Sequence, residues 1–370
     1  MAGPEPALSG LEQVIAEEIR RGGPLPLDRF MTLALHHSTH GYYRTRDPLG
    51  AGGDFVTAPE LSQAFGEVIG AWLARAWLDL GQPAPFRLVE LGPGRGTLLE
   101  DVLRATRRVP GFHEGLRLHL VETGERLRKV QAERLAGFHA GWHDELAEVP
   151  SGPLLLLANE FFDALPVHQL VGTARGWFER CIGVADGGRL EFRLAAAPSP
   201  LGAELPSATP GVVAEVSPAR SRLAHAIGGR LARDGGIALV IDYGAWVEGP
   251  SGDTLQATRG HAPCDPLDAP GSADLTTHVD FRALAEAACE GGAAVYGPVP
   301  QGTFLRGLGI HLRTLKLLER SGPAQQRHLR AALFRLTDPS AMGELFKVLA
   351  LAHPTAPAPP GFAAPTLGPC

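Results

Sequence analysis

The 370-residue chain is long enough for one large domain with insertions or for two domains, and its 44% hydrophobic content is ordinary for a protein with a sizeable core. A formal net charge of −6 argues against general affinity for nucleic-acid phosphates. No apolar run approaches the ~20 residues of a membrane span. Residues 1–10 lack a basic-then-apolar signal pattern, and Glu12, Glu17 and Glu18 do not suit an acid-poor transit peptide. A cytoplasmic protein is the expectation, with the mitochondrial matrix as the alternative if the chain lacks its native presequence.

Leu11–Arg21 and Leu27–Leu35 carry apolar residues at helical spacing, separated by Gly22-Gly23-Pro24. A loop from His40 to Ala58 follows. Thr57 and Glu60 form a capping box with Pro59 in the first turn, which predicts a long amphipathic helix over Glu60–Leu80. From Phe86 the pattern alternates strand and helix. Predicted strands are Phe86–Leu91, Leu116–Glu122, a short segment to Trp142-His143-Asp144, Pro153–Ala158 and Ile237–Gly244. The wholly apolar Leu154–Ala158 reads as central and buried on both faces. Such alternation implies a parallel doubly wound sheet.

Two segments interrupt the alternation. Trp177–Leu194 reads as a hairpin turning at Asp186-Gly187-Gly188, and Gly249–Asp280 has little periodicity. Helical patterns return at Phe281–Glu290, Phe304–Arg320 and Ala324–Leu336, Leu345–Leu351 reads as the last strand, and the Pro-rich tail 353–370 as disordered. The resulting domain scheme is a helical segment 1–80 packing on the cofactor site, a core domain 81–350 with insertions at about 170–210 and 249–340, and the tail. The four cysteines form no C-x-x-C pair and read as free thiols, and no metal site is expected, His36, His37 and His40 included.

The densest signal is Phe86-Arg87-Leu88-Val89-Glu90-Leu91-Gly92-Pro93-Gly94-Arg95-Gly96-Thr97, with Glu100 reading as the partner of Thr97 in a second capping box. Its spacing is G-x-G-x-G, not the G-x-G-x-x-G of dinucleotide binders. Gly92, Gly94 and Gly96 let backbone approach a ligand. Glu90, two places before the first glycine, suits the cationic amino group of S-adenosylmethionine (SAM).

Ligands of open α/β sheets sit at the carboxyl ends of strands. That rule selects Glu122 for the ribose hydroxyls, Asp144 for the adenine amino group, and Asn159, Glu160 and Asp163 beside the transferable methyl group. Of these, Asn159 belongs with the cofactor set, and Glu160 with Asp163 are the catalytic candidates, two carboxylates able to hold a guanidinium. The acid- and glycine-rich block Gly53–Glu60 is expected to fold against the cofactor pocket, which adds Asp54 to the cofactor-binding residues. Methyl transfer from a sulfonium needs mainly positioning and desolvation, so the absence of a nucleophile elbow, P-loop or H-E-x-x-H motif is no obstacle.

Gly53-Asp54-Phe55-Val56-Thr57-Ala58-Pro59-Glu60, Glu90–Thr97 and Ala158-Asn159-Glu160-Phe161-Phe162-Asp163-Ala164-Leu165-Pro166 resemble the signature blocks of the MidA family of class I SAM-dependent methyltransferases. Further blocks at Glu215–Pro218, Ile241–Gly244, Asp253–Ala257, Asp274–Phe281 and Met342–Lys347 extend the resemblance over roughly residues 10 to 350. Ala58 departs from the Ser expected in many relatives.

The resemblance implies a seven-stranded sheet with an antiparallel last strand and an insertion flanking the cleft. For the family's mitochondrial member it also implies methylation of an arginine in a respiratory complex subunit. The expectation is thus a doubly wound α/β methyltransferase that uses SAM and acts on an accessible arginine of a protein, with no nucleic-acid partner and homodimerisation left open. The alternatives are a SAM-binding assembly factor that works by holding a partner, and a small-molecule methyltransferase.

Overall fold

The computed structural model describes residues 10–45 and 57–367. The chain divides into two compact units. One comprises residues up to 55, 164–220 and 247–278; the other comprises 56–163, 221–246 and 279 onward.

The second unit is built on a sheet whose strands are β1 (Phe86–Leu91), β2 (Leu116–Val121), β3 (Ala140–His143), β4 (Leu154–Asn159), β5 (Gly236–Ala245), β6 (Ala294–Pro300) and β7 (Phe346–Ala352). They hydrogen-bond in the order β6-β7-β5-β4-β1-β2-β3, and the two-residue strand Val279–Asp280 pairs with the end of β5. The first five strands run parallel, and β7 runs antiparallel to both β5 and β6. The Leu154–Ala158 run is buried throughout, flanked by β1 and β5, as its composition demands. Each leucine so buried contributes about 1.5–3 kcal/mol of apolar transfer free energy.

The helix Gln63–Asp79 lays Phe65, Ile69, Trp72, Leu73 and Trp77 into the core. It lies so close to the helix Thr97–Thr106 that a Cβ at Gly70 would meet the Ala105 methyl at 2.9 Å. The predicted single helix from Glu60 is in fact two: Ala58–Leu61, then Gln63–Asp79 capped by Ser62, whose Oγ accepts the Ala64 N–H at 3.2 Å. Neither predicted capping box forms. The helix at the glycine loop is capped by Gly96 in the left-handed region, and Thr97 instead donates its hydroxyl to Glu60. Local pattern specified a helix start in both places; a longer-range partner took the side chain.

Two further expectations are corrected in this unit, and one strand went unanticipated. The strand β6, bracketed by glycine and proline, had no legible pattern. The helix expected over Phe304–Arg320 breaks into Gln301–Gly307 and Ile310–Leu318 around Gly309, at φ +81°. The tail is placed through residue 367: Trp72 donates its indole N–H to the Pro360 carbonyl at 2.7 Å, and Leu367 bridges to Val295. Its composition suggested disorder because these partners lie far off in the chain, Trp72 by 288 positions, and leave no local pattern.

The first unit combines helices Gly10–Gly22 and Leu27–His36 with a mainly antiparallel sheet. The predicted hairpin is present as Gly176–Val184 against Leu190–Pro198, and Gly176–Val184 also pairs with His168–Thr173 and Leu25–Pro26. The aperiodic stretch from Gly249 contains a small sheet of Gln256–Arg259, Ala262–Pro263 and Asp274–Thr276, strands too short to show alternation. Leu11, Ile15, Phe30, Met31, Tyr42, Ile182 and Leu275 form this unit's core. Residues 10–45 and 247–278 belong to this unit, whereas 57–80 and 279–340 belong to the other.

Cys181 and Cys264 are free thiols, but Cys289 is disulfide-bonded, correcting the expectation of four free thiols; pairing depends on where the fold brings sulfurs, which spacing alone does not reveal. No helix among the described residues is long and apolar enough to cross a membrane.

Candidate active site

The carboxyl ends of β1, β2, β4 and β5 converge on the glycine loop. Gly92, Gly94 and Gly96 adopt φ of +60°, +52° and +78°, the left-handed region that disfavours side chains. A Cβ at Gly92 would also lie 2.6 Å from the Phe161 ring. The loop is closed by the Gly96 N–H donating to the Pro93 carbonyl at 2.7 Å.

Glu90 is 3% exposed, and its Oε2 is buried with no hydrogen-bond partner. Burial pushes its carboxyl up to about 8. The neighbouring strand β4, in register through Leu91 and Ala158, ends at Asn159, whose Oδ1 is likewise buried and unpartnered. Orphaned buried acceptors are costly and call for an explanation.

Glu122 follows β2. Its carboxylate accepts the Gly124 N–H at 2.7 Å and the Gln131 amide at 3.3 Å, and burial raises its pKa against those two bonds. Asp144 follows β3; its side chain is 64% exposed and accepts at 2.7 Å from Arg128, which also donates to the Glu122 carbonyl at 2.6 Å. Asp54 lies outside the described residues.

Glu160 is a non-glycine residue at φ +51°, a conformation that costs on the order of 1–3 kcal/mol and persists where surroundings impose it. The imposing group is Asp242, fully buried at the end of β5. Its Oδ2 accepts the N–H groups of Phe161, Phe162 and Asp163 at 3.2, 2.9 and 3.2 Å. The Glu160 carboxylate accepts from the Ala58 N–H at 2.9 Å and the Asn159 amide at 3.1 Å. Burial, helped by the charge of the buried Asp163, raises Glu160 to about 7; the two hydrogen bonds and the Arg335 charge oppose that rise.

A model of an S-adenosyl-L-methionine-dependent methyltransferase family matches residues 68–299. The chain is 39% identical to a Drosophila melanogaster protein named protein arginine methyltransferase NDUFAF7 homolog, mitochondrial, covering 92% of this chain and 84% of the relative. It is 36% identical to the human protein arginine methyltransferase NDUFAF7, mitochondrial, covering 95% and 86%. It also superposes on a Burkholderia thailandensis protein solved with S-adenosyl-homocysteine bound, with a TM-score of 0.80 at 28% identity over 97% of this chain and 98% of that one.

The chain belongs to this methyltransferase family. Its cofactor is SAM.

Two residues around the methyltransferase loop escaped the sequence reading as site residues. Asp242 had a signal, an acid at the end of a buried strand, but its role as the anchor of the 161–163 backbone is visible only in three dimensions. Gln131 had none: it lies in a polar helix, yet it is fully buried. There its amide donates to the Gly94 carbonyl at 2.7 Å and to Glu122, while its oxygen accepts the Trp142 indole N–H at 2.8 Å.

The smaller unit gathers Asp28, His168 and Glu179. His168 faces Asp28 through Nε2 at 3.3 Å and Glu179 through Nδ1 at 2.5 Å. Each ring nitrogen of the imidazole thus faces a carboxylate of its own. In the histidine cluster, burial pushes His36 down to about 4, and the His37 and His40 rings stack at 5.2 Å.

Proposed function

We propose that the chain methylates an arginine side chain of a protein, with Glu160 and Asp163 holding the guanidinium. The observation that carries this reading is the pair of carboxylates at the end of the central strand, Asp163 buried and Glu160 half-buried, beside the orphaned acceptors of Glu90 and Asn159. The curated relatives named as protein arginine methyltransferases support the same acceptor.

Bound SAM supplies an electrophilic methyl group on a sulfonium that is already activated. Glu90 and Asn159 hold its α-ammonium, whose donors match their two unpartnered oxygens. Glu122 retains lone pairs for the ribose hydroxyls, and the three glycines keep side chains away from the methionyl portion. Asp144, whose Oδ1 accepts from Arg128, keeps its other oxygen for the adenine amino group.

Glu160 and Asp163 orient the guanidinium by charge-assisted bonds. With its carboxyl near 7, Glu160 accepts the proton shed by the nitrogen that gains the methyl group. The test is incubation of the purified protein with methyl-labelled SAM and a whole lysate, then hydrolysis and amino-acid analysis. Labelled methylarginine is the expected product. Label confined to small molecules, or no label at all, would overturn the reading.

A further inference from the structure

The chain is acidic overall, yet residues 301–337 hold seven Lys and Arg against one acid, Glu319. This segment forms the helices Gln301–Gly307, Ile310–Leu318 and Pro323–Thr337 of the sheet-containing unit. Arg313 is committed to the buried Glu67 at 2.9 Å, and Arg306 to the Thr337 carbonyl at 2.7 Å. Arg327 and Arg330 are exposed and enter no ion pair among the described residues.

Arg327, Arg330 and Phe334 stand at i, i+3 and i+7, one face of their helix. Phe334 is 57% exposed, and the adjoining helix adds Leu312 at 69% and Leu315 at 54%. Exposed cations and bulky apolar groups thus occur together on this pair of packed helices.

That surface reaches the candidate site. His328 Nε2 lies 3.0 Å from the Leu61 carbonyl, at the end of the short helix whose first N–H bonds Glu160. The charge of Arg335, one residue beyond Phe334, acts on Glu160 itself.

We propose that the helices Ile310–Leu318 and Pro323–Thr337 dock the acceptor, and that they select a protein segment in which acidic and apolar residues flank the methylated arginine. This rests on the protein-acceptor reading above. The argument is charge complementarity: a basic rim repels a bare basic segment, so an arginine approaching Glu160 is admitted when neighbouring carboxylates pair with Arg327 and Arg330. Apolar neighbours then cover Leu312, Leu315 and Phe334. An anionic bilayer shares the charge but would engage only three scattered apolar side chains, and it presents no arginine.

The test uses the full chain saturated with S-adenosyl-homocysteine and short fluorescent peptides read by anisotropy. One peptide carries a single arginine among Glu and Leu; the other replaces each Glu by Lys. The Glu peptide should bind at least about tenfold more tightly, and R327E/R330E should erase that preference. Phe334→Ser, which leaves every charge in place, should weaken both peptides. Equal binding of the two peptides, unchanged binding by R327E/R330E, or binding to phosphatidylserine vesicles in place of the Glu peptide would overturn the proposal. Selective docking of the Glu peptide that yields no methylarginine when SAM replaces S-adenosyl-homocysteine would sink the arginine reading instead.

Discussion

Glu90→Gln removes one ionisable group and preserves shape. In the ligand-free protein the Glu90 carboxyl lies at about 8 because burial disfavours its charge. A bound α-ammonium favours the carboxylate, so ligand binding lowers that pKa and releases a proton. The sign follows: affinity is full above pH 8 and is lost as pH falls below it. With one such group, affinity for S-adenosyl-homocysteine rises about fifty-fold between pH 6 and pH 8, each pKa unit being worth about 1.4 kcal/mol.

Removing the charge-assisted bond costs about 1.5–3 kcal/mol, roughly ten- to hundred-fold in affinity. The variant should therefore be weakest relative to wild type at pH 8 and should converge on it near pH 6, with no slope of its own. Calorimetry in two buffers of different ionisation enthalpy reads both quantities, and at pH 7 the wild type should release about one proton. Equal wild-type affinity at pH 6 and 8, or a Glu90→Gln variant that binds like wild type at pH 8, refutes the reasoning. Without ligand the sign reverses. A carboxyl raised above its unfolded value loses stability as pH rises from about 4.5 to 8, so Glu90→Gln should melt higher than wild type at pH 8.

Glu160→Gln and Asp163→Asn should abolish turnover while leaving S-adenosyl-homocysteine affinity within a few-fold, as read by labelled-methyl transfer beside calorimetry. Wild-type turnover should fall as pH drops through about 7, where Glu160 takes up its proton. Gly92→Ala should lose cofactor affinity and about 1–2 kcal/mol of stability, because its Cβ would meet Phe161 at a left-handed φ; calorimetry and thermal melts check the two effects separately. Asp242→Ala leaves three backbone N–H groups without their acceptor and should cost at least about 1.5–3 kcal/mol in urea unfolding, with turnover falling further than stability accounts for. An Asp242→Ala protein of wild-type stability would show that the 161–163 turn holds itself.

The parallel sheet and the glycine loop were legible in the chain because their signals are local. Leu154–Ala158 reads as a strand buried on both faces from composition alone, and the alternation of positions 86–158 specifies parallel order. Glu90, two residues before a G-x-G-x-G turn, announces a site for a cation without any knowledge of the fold.

What only the tertiary structure decided are matters of long-range partnership. Thr97 left its own helix cap for Glu60, the 353–367 tail found Trp72 and Val295, and β6 was hidden by its glycine and prolines until β7 supplied a neighbour. The unusual backbone of Glu160 comes from Asp242, eighty-two positions later in the chain, and the raised pKa values of Glu90 and Glu160 come from burial by residues scattered along it. A sequence states which groups can ionise. How far water is excluded from them, and which donors lie within reach, depends on packing that no local pattern encodes.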